Sequence, residues 1–461
     1  MGDVRNTSWM ERYSASEVYT LRCRVLDQPG MLGDLITAIG HAGAHVGTIS
    51  VVGLDSRFKI REVTVYCKDR AHLALVLQAA NACEGVEVVA TRDEVLEVHR
   101  RGAIRTVSRL PIRTLTDLRM LYTPGVAAMV ARLQADPSAA WEVTGVCDRV
   151  AIVTNGTAVL GLGRTGVLPS LPVMEGKAAI FAEFADISAV PILIDSEDPA
   201  VVVDTVARLA AGFGAIQLED IAAPACFQIE QALQDRLAIP VLHDDQHGTA
   251  TVLVAALINA LAQSGRRRED CSALILGAGA AGCAIARALV EFGLGDVIVY
   301  DSTGPLYRGR TARMNPYKQA VAEITNRRNL ACPLAEGFAG RDVFIGVARP
   351  NVVSPSMIRA MAPSPLVFPL SNPVGEISVR EAIDAGAAIA ADGRTINNAL
   401  AYPGLFRGAL DVRAAAITFQ MRLAAAATLA ELAEGDDLLP NILDRDVHRR
   451  VADAVADAAN R

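Results

Sequence analysis

The sequence predicts an α/β chain, parallel strands covered by helices, with a small α+β module in front. Three observations carry this. Apolar residues make up 51% of the chain and aromatics only 5%, with Ala and Val plentiful, a composition suited to helices packed on parallel strands. The apolar run Ala273-Leu274-Ile275-Leu276 enters Gly277-Ala278-Gly279-Ala280-Ala281-Gly282, and a helical pattern continues from Ile285 to Glu291. Between residues 18 and 98, strand and helix patterns alternate in the order βαββαβ, a split βαβ sandwich. A length of 461 residues suggests two to four domains.

In chain order, Met1 to Ser16 is polar, holds Asp3 and Glu11, and lacks the apolar core of a secretion signal. Residues 1–17 therefore read as a tail. Val18 to Leu26 reads as a strand, and Asp27-Gln28-Pro29-Gly30 as a turn. Met31 to Ala42 is helical, Val46 to Val52 and Ile60 to Cys67 are strands, Ala71 to Ala82 is helical, and Val86 to Ala90 is a closing strand. Gly30 lets the backbone approach a ligand, and the helix N-terminus attracts a carboxylate; otherwise Pro29-Gly30 is only a tight turn. With Asp27-Gln28-Pro29-Gly30-Met31-Leu32 opening its first helix, the module at 18–98 resembles an ACT domain, a regulatory unit that commonly binds amino acids. The resemblance implies an amino-acid or metabolite effector at Asp27, Gly30, Met31 and Leu32, or a surface serving only dimerisation.

Glu94 to Asp117 reads as an Arg-rich linker, and an α/β domain spans 99–265. The pattern resets at Arg266-Arg267-Arg268, read as a solvated interdomain turn. A nucleotide-binding unit spans 266–430, and a helical segment closes the chain at 431–461. The net charge of −7 argues against nucleic acid as a partner. Charges, Gly or Pro interrupt every apolar run, which argues against a membrane span. The cysteines 23, 67, 83, 147, 226, 271, 283 and 332 form no C-x-x-C pair. They read as reduced thiols of a cytoplasmic protein.

The glycine turn follows a strand and opens a helix, and Val297-Ile298-Val299-Tyr300 ends in Asp301, where a ribose 2′-hydroxyl is held. This is a Rossmann-type fingerprint, placing Gly277, Gly279, Ala280, Ala281, Gly282 and Asp301 on a nicotinamide dinucleotide. Asp301 favours NAD by repelling a 2′-phosphate, while the nearby Arg308 and Arg310 keep NADP possible. Two acidic clusters precede it: Leu218-Glu219-Asp220 and His243-Asp244-Asp245-Gln246-His247-Gly248. Either alone could cap a helix. Together, beside a nicotinamide fold, they suit a hard divalent cation. Zinc on His243 and His247 lacks a third His or Cys at a familiar spacing. Tyr122 precedes a Pro-Gly turn, and its phenol could serve as a general acid. Lys177 opens an apolar helix; desolvated near cations, it would have a lowered pKa and act as a general base.

Over roughly residues 95 to 430 the chain resembles the malic enzymes, in particular their bacterial branch. The motifs stand in the family's order: Tyr122-Thr123-Pro124-Gly125-Val126-Ala127; Val153-Thr154-Asn155-Gly156-Thr157 with Leu160-Gly161-Leu162-Gly163; Glu175-Gly176-Lys177-Ala178; Leu218-Glu219-Asp220-Ile221; His243 through Ala250; Ser371-Asn372-Pro373; and Asn397-Asn398. The resemblance implies an α/β malic-enzyme catalytic domain before the NAD-binding domain. It implies Tyr122 as general acid, Lys177 as base and Asp244 as the group that tunes Lys177. Glu219, Asp220 and Asp245 would hold Mg²⁺ or Mn²⁺, and Asn372 and Asn398 would contact the substrate and the nicotinamide side. The implied reaction is oxidative decarboxylation of malate to pyruvate and CO₂ with NAD or NADP, in a homodimer or higher oligomer. Arg164, Ala182 and the segment His99-Arg100-Arg101-Gly102-Ala103-Ile104 depart from the family's pattern. Arg164 either grips the substrate's free carboxylate or faces solvent. Two rivals stand beside this reading: a malolactic-type enzyme that keeps NAD bound, and a weakened ligand sensor on the same scaffold.

Overall fold

The computed structural model describes residues 17–159 and 162–460. The tail at 1–16 and the pair Leu160-Gly161 lie outside the described residues. The chain parts between Arg105 and Thr106 into two compact units.

The first unit comprises β1 (Glu17–Leu26), a helix Met31–His41, β2 (His45–Leu54), β3 (Phe58–Cys67), a helix Arg70–Asn81 and β4 (Val86–Asp93). Its sheet has the order β2-β3-β1-β4 with every pair antiparallel, which is the βαββαβ expectation. Alternation in β1 sends Tyr19, Leu21, Cys23 and Val25 to one face, where they meet Leu35, Ile39, Val76 and Ala80 from the two helices. Gly30 precedes the first helix at φ 94° with no side-chain cap, and Asp27 pairs with Lys59 at 2.7 Å. The expected linker begins differently. Asp93 caps Leu96 N at 2.9 Å and starts a helix Glu94–His99 with two glutamates in its first turn, charges that favour a helix N-terminus.

The second unit carries two sheets. One holds β5 (Arg149–Thr154), β6 (Ser188–Leu193), β7 (Ala215–Leu218) and β8 (Val241–His243) in the order β6-β5-β7-β8, all parallel. The other holds β9 (Ser272–Leu276), β10 (Asp296–Asp301), β11 (Gly304–Pro305), β12 (Val343–Gly346), β13 (Leu366–Pro369) and β14 (Ile389–Ala390) in the order β11-β10-β9-β12-β13-β14. Its neighbours are parallel except the β10–β11 hairpin. Strand order reverses around β9, and the glycine turn follows it, at the crevice where such sheets bind dinucleotides. A Cβ at Gly277 (φ +119°) would lie 2.4 Å from Val347 O, and one at Gly282 would lie 1.8 Å from Gly277 O. Only glycine fits the turn.

Helices Tyr402–Asp411, Phe419–Glu431 and Arg445–Ala459 fold back onto this unit. Phe181 meets Tyr402 and Phe406 edge-on, at 4.8 and 5.5 Å between centroids. Asn259 Nδ2 donates to Ala430 O and Leu438 O. The basic run at 266 is not simply solvated. Arg266 donates to the carbonyls of Pro363 and Ser364, and Arg268, though exposed, stacks on Phe292 at 4.9 Å; Arg267 stays at the surface, paired with Glu269. All eight cysteines are free. No helix among the described residues is long and apolar enough to cross a membrane.

Candidate active site

β7 and β8 are parallel neighbours with Leu218 opposite His243. That register sets the residues leaving each strand side by side: Glu219 and Asp220 from β7, Asp244 and Asp245 from β8. Asp220 turns the chain through a left-handed φ of 53°, and Asp244 opens the helix Asp244–Gln263. Oxygens of Glu219, Asp220 and Asp245 lie within 4.8 Å of one another. Asp220 N donates to Asp245 Oδ2 at 3.0 Å. Burial pushes the Glu219 carboxyl well above its usual range; Lys177 opposes this, and Asp245, Asp244 and Asp220 add to it. Crowded, desolvated carboxylates of this kind fit a hard divalent cation.

The helix Val167–Ala185 brings Lys177 to the same cluster. Lys177 Nζ donates to Asp244 Oδ2 at 2.5 Å and lies 3.2 Å from Glu219 Oε2. Asp244 Oδ2 also accepts from Asn398 Nδ2 at 2.8 Å. The Asp244 side chain is fully buried. A Cβ at Gly248 would lie 1.9 Å from Asp244 Oδ1, so the helix needs glycine one turn on. The neighbours of Lys177 overturn the lowered pKa expected of it. Burial depresses the ammonium, but Asp244 and Glu219 outweigh burial and hold it well above the ordinary value. Its neighbours are anions, not cations, so the lysine rests charged.

Three contributors carried no sequence signal. Tyr402 is buried, and its ring lies 4.6 Å from Lys177 Nζ. Gln217 Nε2 holds Glu219 Oε2 at 2.7 Å. Glu230 is buried and accepts from His243 N, Gln246 Nε2 and His247 Nε2. Arginine only donates, so Arg422 Nη1, 2.6 Å from His247 Nδ1, makes that nitrogen an acceptor. His247 thus serves a buried Glu230–His247–Arg422 chain. His243 keeps both ring nitrogens buried without a hydrogen bond.

Other predicted residues stand apart. Tyr122 ends the helix Leu115–Leu121 and is 68% exposed; no contact joins it to Lys177 among the described residues. Arg164 pairs with Glu197 at the surface, the solvent-facing alternative. Asn372 lies at a cis bond to Pro373, and among the described residues no hydrogen bond links it to the cluster. Gly279 precedes the helix Ala280–Phe292 without a side-chain cap, leaving the first N–H groups for a pyrophosphate. Asp301 ends β10 as expected, but Arg310, Lys318 and Thr303 occupy its carboxylate.

Known proteins match this arrangement. Residues 102–204 match the malic enzyme N-terminal domain, and residues 246–396 the malic enzyme NAD binding domain. The NAD-dependent malic enzyme of Geobacillus stearothermophilus is 41% identical over 438 residues, covering 93% of this chain and 91% of that protein. The chain belongs to the malic enzyme family. The bifunctional malic/malolactic enzyme of Bacillus subtilis is 42% identical over 380 residues, covering 80% of this chain and 93% of that protein. A crystal structure of NAD-dependent malic enzyme from Thermotoga maritima aligns with a TM-score of 0.76 at 40% identity, covering 78% of this chain and 98% of its own. The malic-enzyme assignment thus rests on the catalytic and NAD-binding parts of the chain.

Proposed function

We propose that this chain oxidises (S)-malate and releases pyruvate and CO₂, reducing NAD or NADP. The observation that carries this is the buried Lys177–Asp244 pair beside the Glu219, Asp220 and Asp245 carboxylates, at the ends of β7 and β8. Those three carboxylates would hold Mg²⁺ or Mn²⁺. The ion, when bound, supplies Lewis acidity where negative charge gathers on the C2 oxygen. Gly277, Gly279 and Gly282 would hold the dinucleotide, which would supply the hydride acceptor for C2. Lys177 and Asp244 act as one base: Lys177 passes a proton along their 2.5 Å bond and takes the proton of the C2 hydroxyl. Asn398, bonded to Asp244, keeps that carboxylate aligned. Tyr122 returns a proton to C3 after the C4 carboxylate leaves, and the proton held by Lys177 and Asp244 then restores its phenol, so protons balance.

Tyr122 reaches the reaction from an exposed apolar strip. Leu115, Leu118, Met120 and Leu121 on its helix and Val130 on the next are 43–71% exposed. Exposed apolar residues at this density mark an interaction surface, and the occupant that fits is a second copy of the chain, making a homodimer. The first unit serves as an ACT-type regulatory module. Its sheet order and the open space around Gly30 support an amino-acid or metabolite effector near Asp27 and Gly30 to Leu32.

Purified protein given malate, NAD and Mn²⁺ should yield NADH and pyruvate in equal amounts, and EDTA should abolish both. Lactate without NADH would instead support the malolactic reading, which the name of the Bacillus relative keeps open. Turnover that survives thorough metal removal would sink the metal assignment.

A further inference from the structure

The helices Asp244–Gln263, Ala280–Phe292 and Phe419–Glu431 surround a cavity of about 150 Å³, and Phe227 from the helix Ala225–Arg236 also lines it. Val254 and Leu423 extend its apolar wall. Two arginines, Arg287 and Arg422, line the same space. Arg422 is half-buried and commits Nη1 to His247 Nδ1 at 2.6 Å. Its Nε and Nη2 make no hydrogen bond among the described residues. A guanidinium presents its donors as a planar fork, so most of those on Arg422 stay open to the cavity. Arg287 is exposed and makes neither a hydrogen bond nor an ion pair among the described residues. Open forks of this kind match a carboxylate, which they hold through two parallel bonds.

The surrounding charge decides which anion fits. Glu291, one turn beyond Arg287 on its helix, also lines the cavity and makes no ion pair among the described residues. Buried Glu230 accepts from His247 Nε2. Two carboxylates thus face two guanidinium groups: donors are in excess, but positive charge is not. A phosphate dianion would meet repulsion from Glu291. A monoanion with a short apolar body takes up the open donors and covers the apolar wall.

We infer that Arg287 and Arg422 form a binding site for a short-chain monocarboxylic acid, its carboxylate on the two guanidinium groups and its apolar body against Phe227, Val254 and Leu423.

Isothermal titration of the full chain with butyrate and with its neutral isostere butyramide reads the site directly, at matched ionic strength and without malate, metal or dinucleotide. Butyrate should bind about tenfold tighter than the amide or more, since charge-assisted hydrogen bonds are the strong ones. Arg287 stands exposed, so Arg287→Ala should fold normally, which its melting temperature checks. That variant should weaken butyrate binding about fivefold or more and leave butyramide unmoved. Absence of butyrate binding in the native chain would overturn the site. Equal binding of the amide, or undiminished butyrate binding in Arg287→Ala, would overturn it as well.

Discussion

Lys177 is held by what surrounds it. Asp244 and Glu219 keep the ammonium charged and aimed, and the Tyr402 ring closes its other side. Lys177→Ala should lower kcat by about 10²-fold or more, measured by steady-state NADH formation with near-native circular dichroism. A mild loss would refute its role as base. Tyr402 separates ring from hydroxyl. Tyr402→Phe keeps the aromatic face under the cation and should retain most activity, whereas Tyr402→Leu should lower kcat by about tenfold, the scale of a desolvated cation–π contact. Equal kcat in the two variants would show that the ring does not position Lys177. The resemblance implied the Lys177–Asp244 pairing, but the Glu219 and Tyr402 contacts were not legible in the sequence. The lysine motif was visible, but its expected cations are carboxylates in the fold, which reverses the direction of its shift.

The C-terminal helices hold the catalytic helices from behind. In Arg445–Ala459, His448 stacks on Phe184 at 4.5 Å and its Nε2 lies 2.8 Å from Ile442 O. Burial pushes this imidazole below its ordinary value, only partly opposed by that hydrogen bond. The sign follows from proton uptake. The unfolded chain protonates near the ordinary histidine pKa of about 6.5, the folded chain only at lower pH. The contribution is therefore intact above that value and is lost as pH falls towards the folded one. Thermal melts should show stability dropping across this window, with a flatter profile in His448→Gln. A profile unchanged by that substitution would show that His448 is not the group responsible. Elements of this kind were well legible. The strands read in the first unit fell within a few residues of those observed, and β1 alternates because one of its faces is buried. The helix Glu94–His99 was missed because a charged, capped helix with no buried face looks like a linker.

At the scale of the molecule, Tyr122 stands exposed while Lys177 is largely buried, and no contact joins them among the described residues. If a second copy brings them together, inactive Tyr122→Phe and Lys177→Ala proteins mixed and refolded together should regain roughly a quarter of native activity, since half of the dimers are mixed and one site in each is intact. Size-exclusion chromatography should show a dimer that a charged substitution at Leu118 splits. A monomeric native protein with full turnover would dismiss the shared site.

The sequence by itself determined the layers, the glycine turn, the acidic clusters and, through its ordered motifs, the family. These are local properties: side-chain period, backbone freedom and residue type all act within a few positions. The tertiary structure alone decided most of the charge contacts, Glu219 on Lys177 and Arg310 on Asp301 among them. Lys177 and Asp244 are 67 residues apart and touch because the helix Val167–Ala185 brings the lysine to the end of β8, which the aspartate leaves. Asp301 looked like a free acid until the fold set Arg310 and Lys318 on it. Electrostatic roles depend on neighbours in space, and packing chooses those neighbours.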